Sequence, residues 1–298
     1  MGQNFREALQ QRILVCDGAM GTMLQAAGMP GGHCSEEWNR SHPEVISGIH
    51  QAYLAAGADI IETNTFGGNR FRLGFHGFTK ELAELNETAA QLARTVCPAD
   101  KWVAGSVGPT GEFLEPSGSF TFDQFREAFL EQITALLLGG VDLIIVETMG
   151  DPQEGKAAIE AARSLDPNIP ILSTMTFEKK PAGFRTMMGT QPAEMPAVYQ
   201  EAGADVIGAN CGSGMEEMIS IVRILRENTD LPILAQANAG LPDTEEGRVI
   251  YRETPDDRAE AVERLLKTGV NIVGGCCGTT PAHIAATARI IKAYNHGR

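Results

Sequence analysis

Two cysteines stand side by side in "GGCCGTTPAHI" (residues 274–284), and a third, Cys211, sits in "GANCGSG" (208–214). Three thiolates with an open fourth position describe a zinc site of the catalytic kind, not a closed four-ligand one. Such a metal suits a substrate thiol. Lowering a thiol pKa from about 8.5 to below 7 takes its anionic fraction from a few per cent to most, equivalent to about 2 kcal/mol. Nucleophilicity falls with pKa, but three anionic ligands leave zinc a weak Lewis acid, so the sulfur keeps much of its electron density. The chemistry implied is thiol attack on an electrophilic carbon.

Geometry restricts how Cys276 and Cys277 can share an ion. Neighbouring side chains on a regular strand face opposite ways, so the backbone must leave strand geometry here. Gly274, Gly275 and Gly278 are expected to supply the unusual φ/ψ for that. The other cysteines, Cys16, Cys34 and Cys97, read as buried packing residues. Six cysteines in a chain of 298 residues do not suggest a disulfide framework.

The elements that must position these thiols follow from an internal rhythm. Four segments read alike: "AYLAAGADIIETN" (52–64), "ALLLGGVDLIIVET" (135–148), "VYQEAGADVIGANC" (198–211) and "LLKTGVNIVGGCC" (265–277). Each is a helix end, a glycine, an Asp or Asn, then an apolar strand. Gly57, Gly140, Gly203 and Gly269 suit the left-handed position that closes a helix, and strands apolar throughout suit a parallel sheet buried on both faces. Four further strands are expected at 13–17, 102–107, 170–177 and 231–238. Helical patterns cover 43–56, 79–96, 122–138, 153–165, 191–202, 214–228, 255–268 and 281–293. Eight alternating βα units predict a single (β/α)8 TIM barrel over residues 1–298, with its site at the C-terminal ends of the strands. An open doubly wound sheet would need a glycine fingerprint after the first strand, and "DGAMGT" (17–22) has only part of that spacing. The residues converging on one mouth would be Asp17, Glu62 with Asn64, Ser106, Glu147, Thr176, Asn210 with Cys211, Asn238, and Cys276 with Cys277.

These motifs, with "DGAMGTMLQ" (17–25), "ETNTFGGNRFRL" (62–73) and "VETM" (146–149), resemble the zinc-dependent homocysteine S-methyltransferase family. The likeness spans essentially the whole chain. It is greatest to the homocysteine-binding module of cobalamin-dependent methionine synthases, and less to betaine-homocysteine methyltransferases. The resemblance implies a barrel enzyme transferring a methyl group to a thiol, with zinc on Cys211, Cys276 and Cys277. It also implies that Asp17 and Glu147 hold the amino group of homocysteine. An amino-acid thiol also brings a carboxylate, for which the turn Gly18, Ala19, Met20, Gly21 and Thr22 offers backbone N–H groups. Asn238 is the candidate oxygen for the fourth zinc position before the thiol arrives. Ser106 and Thr176 read as hydroxyls that satisfy local backbone.

The methyl donor is less legible. No Asp-x-His-x-x-Gly motif of cobalamin modules occurs, and the chain ends at "IIKAYNHGR", soon after the last helix. The expectation is therefore a methyl-corrinoid (methylcobalamin) carried on a separate protein, with Asn64, Phe66 and Asn69 lining the mouth, while Phe66 and Phe71 read equally well as packing residues. A small donor such as S-methylmethionine or betaine, or another small thiol as acceptor, is the alternative. A zinc-thiolate sensor, a corrinoid-docking subunit and a phosphate-binding barrel are the remaining readings; the last leaves the paired cysteines unexplained.

Composition narrows the partners. A net charge of −14 disfavours nucleic acid and anionic membrane surfaces, which need clustered Lys and Arg. No apolar run reaches the ~20 residues of a membrane span. The start, "MGQNFREALQQ", lacks the apolar core of a secretory signal, so a cytoplasmic location is expected.

Overall fold

The computed structural model describes residues 4–245 and 248–297. Eight parallel strands form its centre: β1 (Leu14–Val15), β2 (Ile60–Glu62), β3 (Trp102–Val107), β4 (Leu143–Met149), β5 (Ile171–Met175), β6 (Val206–Asn210), β7 (Ile233–Ala237) and β8 (Ile272–Gly275). From β2 to β8 each strand pairs with the next in sequence, and β8 returns to pair with β1. The β1–β2 seam is closed by a bridge between Cys16 and Ile60 and by two backbone bonds, Asp59 N to Val15 O (2.7 Å) and Asp17 N to Ile60 O (3.0 Å). This is the (β/α)8 barrel. The expected first strand, 13–17, is shorter in the regular ladder because the bridge at Cys16 takes over.

The repeated glycine and Asp/Asn have separate jobs. Gly57, Gly140, Gly203 and Gly269 take φ between 83° and 103°, closing the preceding helix as only glycine does cheaply. Two residues later, each acid or amide reaches across to the strand before it. Asp59, Asp142, Asp205 and Asn271 accept from the N–H of Val15, Val103, Ile171 and Ile233 at 2.8–3.0 Å. One sequence pattern thus stitches four neighbouring strand pairs at the same height.

The helix expected at 122–138 is found at Phe122–Leu138, and others follow expectation with ends shifted by one or two residues, such as Met215–Glu227 and Pro255–Leu266. The expected 79–96 helix is a 3-10 turn (Thr79–Glu81) leading into Leu82–Val96, and the expected 191–202 helix begins only at Met195. Short helices at Phe5–Gln11, Met20–Ala26, Trp38–Ser41 and Arg70–Phe75, a hairpin at 178–185, and the antiparallel strands Asp243–Glu245 and Arg248–Ile250 are additions. Among the described residues no helix is long and apolar enough to cross a membrane.

Two apolar layers result. Helices pack on the outside of the sheet through residues such as Ile61, Val103, Ile144 and Val273. Inside the barrel, Leu14, Ile60, Trp102, Ala104, Leu143, Ile145, Leu172, Val206, Leu234 and Ile272 form a plug. Phe5 from the first helix closes its lower end, meeting Trp102 edge-on at 5.6 Å.

Candidate metal and substrate site

Strand alternation carries the plug upward into polar chemistry. Two residues beyond an inward apolar side chain, the next inward position is polar in five strands: Ile60 to Glu62, Ala104 to Ser106, Ile145 to Glu147, Leu172 to Thr174, and Leu234 to Gln236. Glu62, Ser106, Glu147 and Gln236 line a cavity of about 250 Å³ with Cys211, Cys276 and Cys277.

The three thiols meet at one corner. Cys211 Sγ lies 3.9 Å from Cys277 Sγ, Cys276 Sγ lies 4.0 Å from Cys277 Sγ, and all three fall within 4.8 Å of one another. A tetrahedral ion with bonds of about 2.3 Å requires sulfurs about 3.8 Å apart, so the corner fits zinc, and soft thiolates select it over hard cations. The backbone that achieves this differs from expectation. Gly274 and Gly275 remain in β8 at negative φ, and only Gly278 is left-handed, at φ 79°. The first two glycines supply space instead: a Cβ on Gly275 would lie 2.1 Å from Thr279 Cγ2, and one on Gly274 2.8 Å from Cys16 Cβ. The pair itself sits in a turn closed by Thr279 N to Cys276 O (3.0 Å), which turns both side chains toward Cys211. Cys211 is left-handed too, at φ 57°, a strained state for a non-glycine residue.

The thiols do not titrate alike. Hydrogen bonds from Cys211 and Cys276 hold Cys277 down, to about 3, while the same contacts push Cys276 up. The Tyr251 hydroxyl is within reach of Cys277 and also favours its anion. Asn238, on the loop after β7, is 5% exposed, and its Oδ1 has no hydrogen-bond partner. It is an acceptor in want of a cation or donor, though it does not line the cavity.

The opposite wall is a carboxylate cluster. Asp17 Oδ2 accepts from Glu62 N (2.9 Å), Glu62 Oε1 accepts from Gln236 Nε2 (2.6 Å) and the Cys16 thiol (3.2 Å), and Glu147 Oε1 accepts from Ser106 Oγ. Burial first, and then mutual repulsion, raises all three acids above the usual carboxylate range, Glu62 to about 8. No ion pair joins any of them to Lys or Arg among the described residues. Gln236 Oε1 is likewise buried without a partner. Acceptors crowded around a small cavity in this way suit a cationic guest, which relieves both the repulsion and the orphan, the latter worth about 1–3 kcal/mol.

Asn210 joins the two walls. Its side chain accepts from Thr148 N (2.9 Å) and Thr174 Oγ1 (2.7 Å), and donates to Thr148 Oγ1 (2.7 Å) and Glu147 Oε2 (3.3 Å). This holds Thr148 at φ 61°, where the β4 register shifts between Val146 and Met149. Glu147 is thereby fixed by the residue next to Cys211.

The remaining expected residues separate. Gly18, Ala19, Met20, Gly21 and Thr22 line the cavity, but not as an irregular turn: the helix Met20–Ala26 begins within them, and Ala19 N is spent on Thr279 O (3.1 Å). The N–H groups of the first helical turn have no acceptor within the helix. Asp17 is 2% exposed and sits behind Glu62, outside the cavity wall. Asn64 and Phe66 line the cavity. Asn69 does not; it caps the helix Arg70–Phe75, accepting from Phe71 N and Arg72 N at 3.1 Å. Phe71 packs on Phe120 and Phe125. Thr176 donates to Asn210 O (3.0 Å). Cys34 and Cys97 are buried, whereas Cys16 is buried under the carboxylates as a donor to Glu62. Gln236 and Tyr251 carry no sequence motif. The strand period finds Gln236, but nothing local finds Tyr251.

Comparison with known proteins places the chain among relatives of the same fold. The methionine synthases of Mycobacterium leprae (strain TN) and Mycobacterium tuberculosis (strain ATCC 25618 / H37Rv) are each 35% identical to this chain, over 98% and 96% of it. The chain spans a quarter of their length, 25% in both cases. Among solved structures, the metallated form of the homocysteine methyltransferase MmuM from Escherichia coli superposes with a TM-score of 0.80 at 25% identity, covering 96% of this chain and 99% of that one. Its oxidized form gives 0.79 at 25% identity, covering 98% and 100%. A profile of the homocysteine S-methyltransferase family matches residues 14–291, and the chain belongs to that family.

Proposed function

We propose that this chain methylates the sulfur of homocysteine to give methionine, using zinc held by Cys211, Cys276 and Cys277. The observation carrying this reading is one small cavity with a three-thiol corner on one side and uncompensated buried carboxylates on the other. Homocysteine matches both at once, bringing a thiol and an ammonium group. When bound, zinc supplies a site that favours the substrate sulfur as its anion.

The residues then have distinct work. Glu62 and Glu147 face the ammonium, with Asp17 behind Glu62 adding negative charge. Ser106 and Asn210 fix Glu147, and Gln236 fixes Glu62. The substrate carboxylate is assigned to the cavity-lining stretch Gly18–Thr22, at the free N–H groups of the first helical turn. Asn238 offers its unpartnered oxygen to the metal before the thiol arrives. The thiol proton leaves before transfer, so no side chain removes it during the step. The S–CH3 bond forms as the donor–CH3 bond breaks, and the bonding pair leaves with the donor.

For the donor we infer a methyl-corrinoid. Greater identity to methionine synthases than to MmuM supports this, as do Asn64 and Phe66 at the cavity edge. A small sulfonium or ammonium donor is the second reading, and one feature favours it. An adjoining cavity of about 270 Å³ shares Thr148 with the first, and is lined by Phe113, Met187 and Met188 together with Glu112, Asp151 and Glu178. Apolar walls with acidic groups suit a methylated cation.

The test is single-turnover transfer to homocysteine from methylcobalamin and, in parallel, from S-methylmethionine. Methionine forming from methylcobalamin only in zinc-loaded protein is the expected result. Equal methionine formation in verified metal-free protein contradicts the proposal, and formation from S-methylmethionine alone selects the second donor.

A further inference from the structure

The helix Pro255–Leu266 sends one side chain inward beneath the thiol corner. Arg258 is fully buried (0% exposed), an unusual place for a charge that never titrates away. Its Nη2 donates to Gly274 O (2.6 Å) and Ala237 O (3.4 Å), and its Nη1 to Ala237 O (3.3 Å) and Asn238 O (3.4 Å). Nη1 also meets Glu253 Oε1 at 3.0 Å, while Nε has no partner.

These acceptors are the backbone of the proposed metal site. Gly274 lies two residues before Cys276. Ala237 O also accepts from Cys276 N (2.9 Å), and Ala239 N donates to Cys277 O (2.9 Å). The guanidinium therefore ties the end of β7, which carries Asn238, to the end of β8, which carries the cysteine pair. Cys276 is also close enough to act on the Arg258 charge. Burying a cation costs much desolvation energy, and one acid, the largely buried Glu253, does not by itself explain its placement against three carbonyls. An excess of negative charge nearby does. Three thiolates outweigh a divalent ion by one charge, and a substrate thiolate adds another.

Resting on the zinc reading above, we propose that Arg258 is a positioning residue for the metal: a buried counter-charge that offsets the surplus of the three thiolates and fixes the backbone from which Asn238 and Cys276 project. Charge and brace separate by substitution. Lysine keeps the charge without the fork, methionine keeps the bulk without the charge, and Glu253→Gln keeps an acceptor for Arg258 while leaving its charge uncompensated.

Zinc affinity by chelator competition, with folding followed by circular dichroism, reads this out independently of turnover. Arg258→Met should bind zinc about tenfold or more weakly, and Arg258→Lys should recover most of that loss. Glu253→Gln should bind about twofold tighter or better. Equal losses in the Lys and Met variants overturn the proposal. If Arg258→Met does not fold, Glu253→Gln decides: tighter binding supports the counter-charge, and unchanged or weaker binding overturns it. Wild-type protein that takes up no zinc would fail the zinc reading itself.

Discussion

The two walls of the cavity face the same problem, acidic groups crowded out of water, and resolve it in opposite ways. On the thiol wall, sulfurs share protons and one of them, Cys277, is driven to ionise early. On the carboxylate wall, burial and repulsion keep protons on, and Glu62 rises to about 8. The difference lies in what each wall lacks. On the reading proposed here, the thiols lack a soft cation that bonds to sulfur, and the carboxylates a hydrogen-bonding cation such as an ammonium group. Asn210, bonded to Glu147 and adjacent to Cys211, keeps the walls in register.

The largest expected effect crosses the two walls. Cys277→Ala should lose zinc and turnover together, whereas Glu147→Gln or Glu62→Gln should keep full zinc and raise the KM for homocysteine about 10- to 100-fold, as losing a charged hydrogen bond does. Metal analysis beside steady-state kinetics checks this, and zinc loss in the Gln variants would merge the two walls into one unit.

A smaller effect concerns stability. The folded chain holds a proton on Glu62 up to about pH 8, because of burial and then the Asp17 charge, whereas an unfolded Glu releases it near 4.3. The folded state binds the extra proton between those values, so this stability is complete below the unfolded pKa and is lost as pH rises toward 8. Metal-free protein without substrate should lose about 3–6 °C of Tm between pH 6 and pH 8. Glu62→Gln should flatten that slope by about a third or more. Thermal melts across the range read it directly.

The barrel was legible because its repeat is physical: a helix-closing glycine, then an Asp or Asn that stitches adjacent strands, appears four times. The thiol corner was legible for a similar reason, since adjacent cysteines cannot share a ligand without leaving strand geometry. The reason assigned to Gly274 and Gly275 differed, because close approach of Thr279 and Cys16 cannot be read from local sequence. Glu62 and Gln236 follow from continuing the two-residue period above the plug. Asn69 was misplaced because a capping asparagine and a cavity asparagine look identical in sequence until the helix start is known. The hairpin at 178–185 and the paired strands Asp243–Glu245 and Arg248–Ile250, and with them Tyr251 beside Cys277, carry short polar patterns that many loops share.

The central claim, that the thiol corner holds zinc with one position open for the substrate sulfur, is tested most directly by X-ray absorption at the zinc edge. The account predicts three sulfurs and one oxygen or nitrogen ligand in the zinc-loaded protein, becoming four sulfurs when homocysteine is added. A sulfur count that stays at three with homocysteine bound would contradict it.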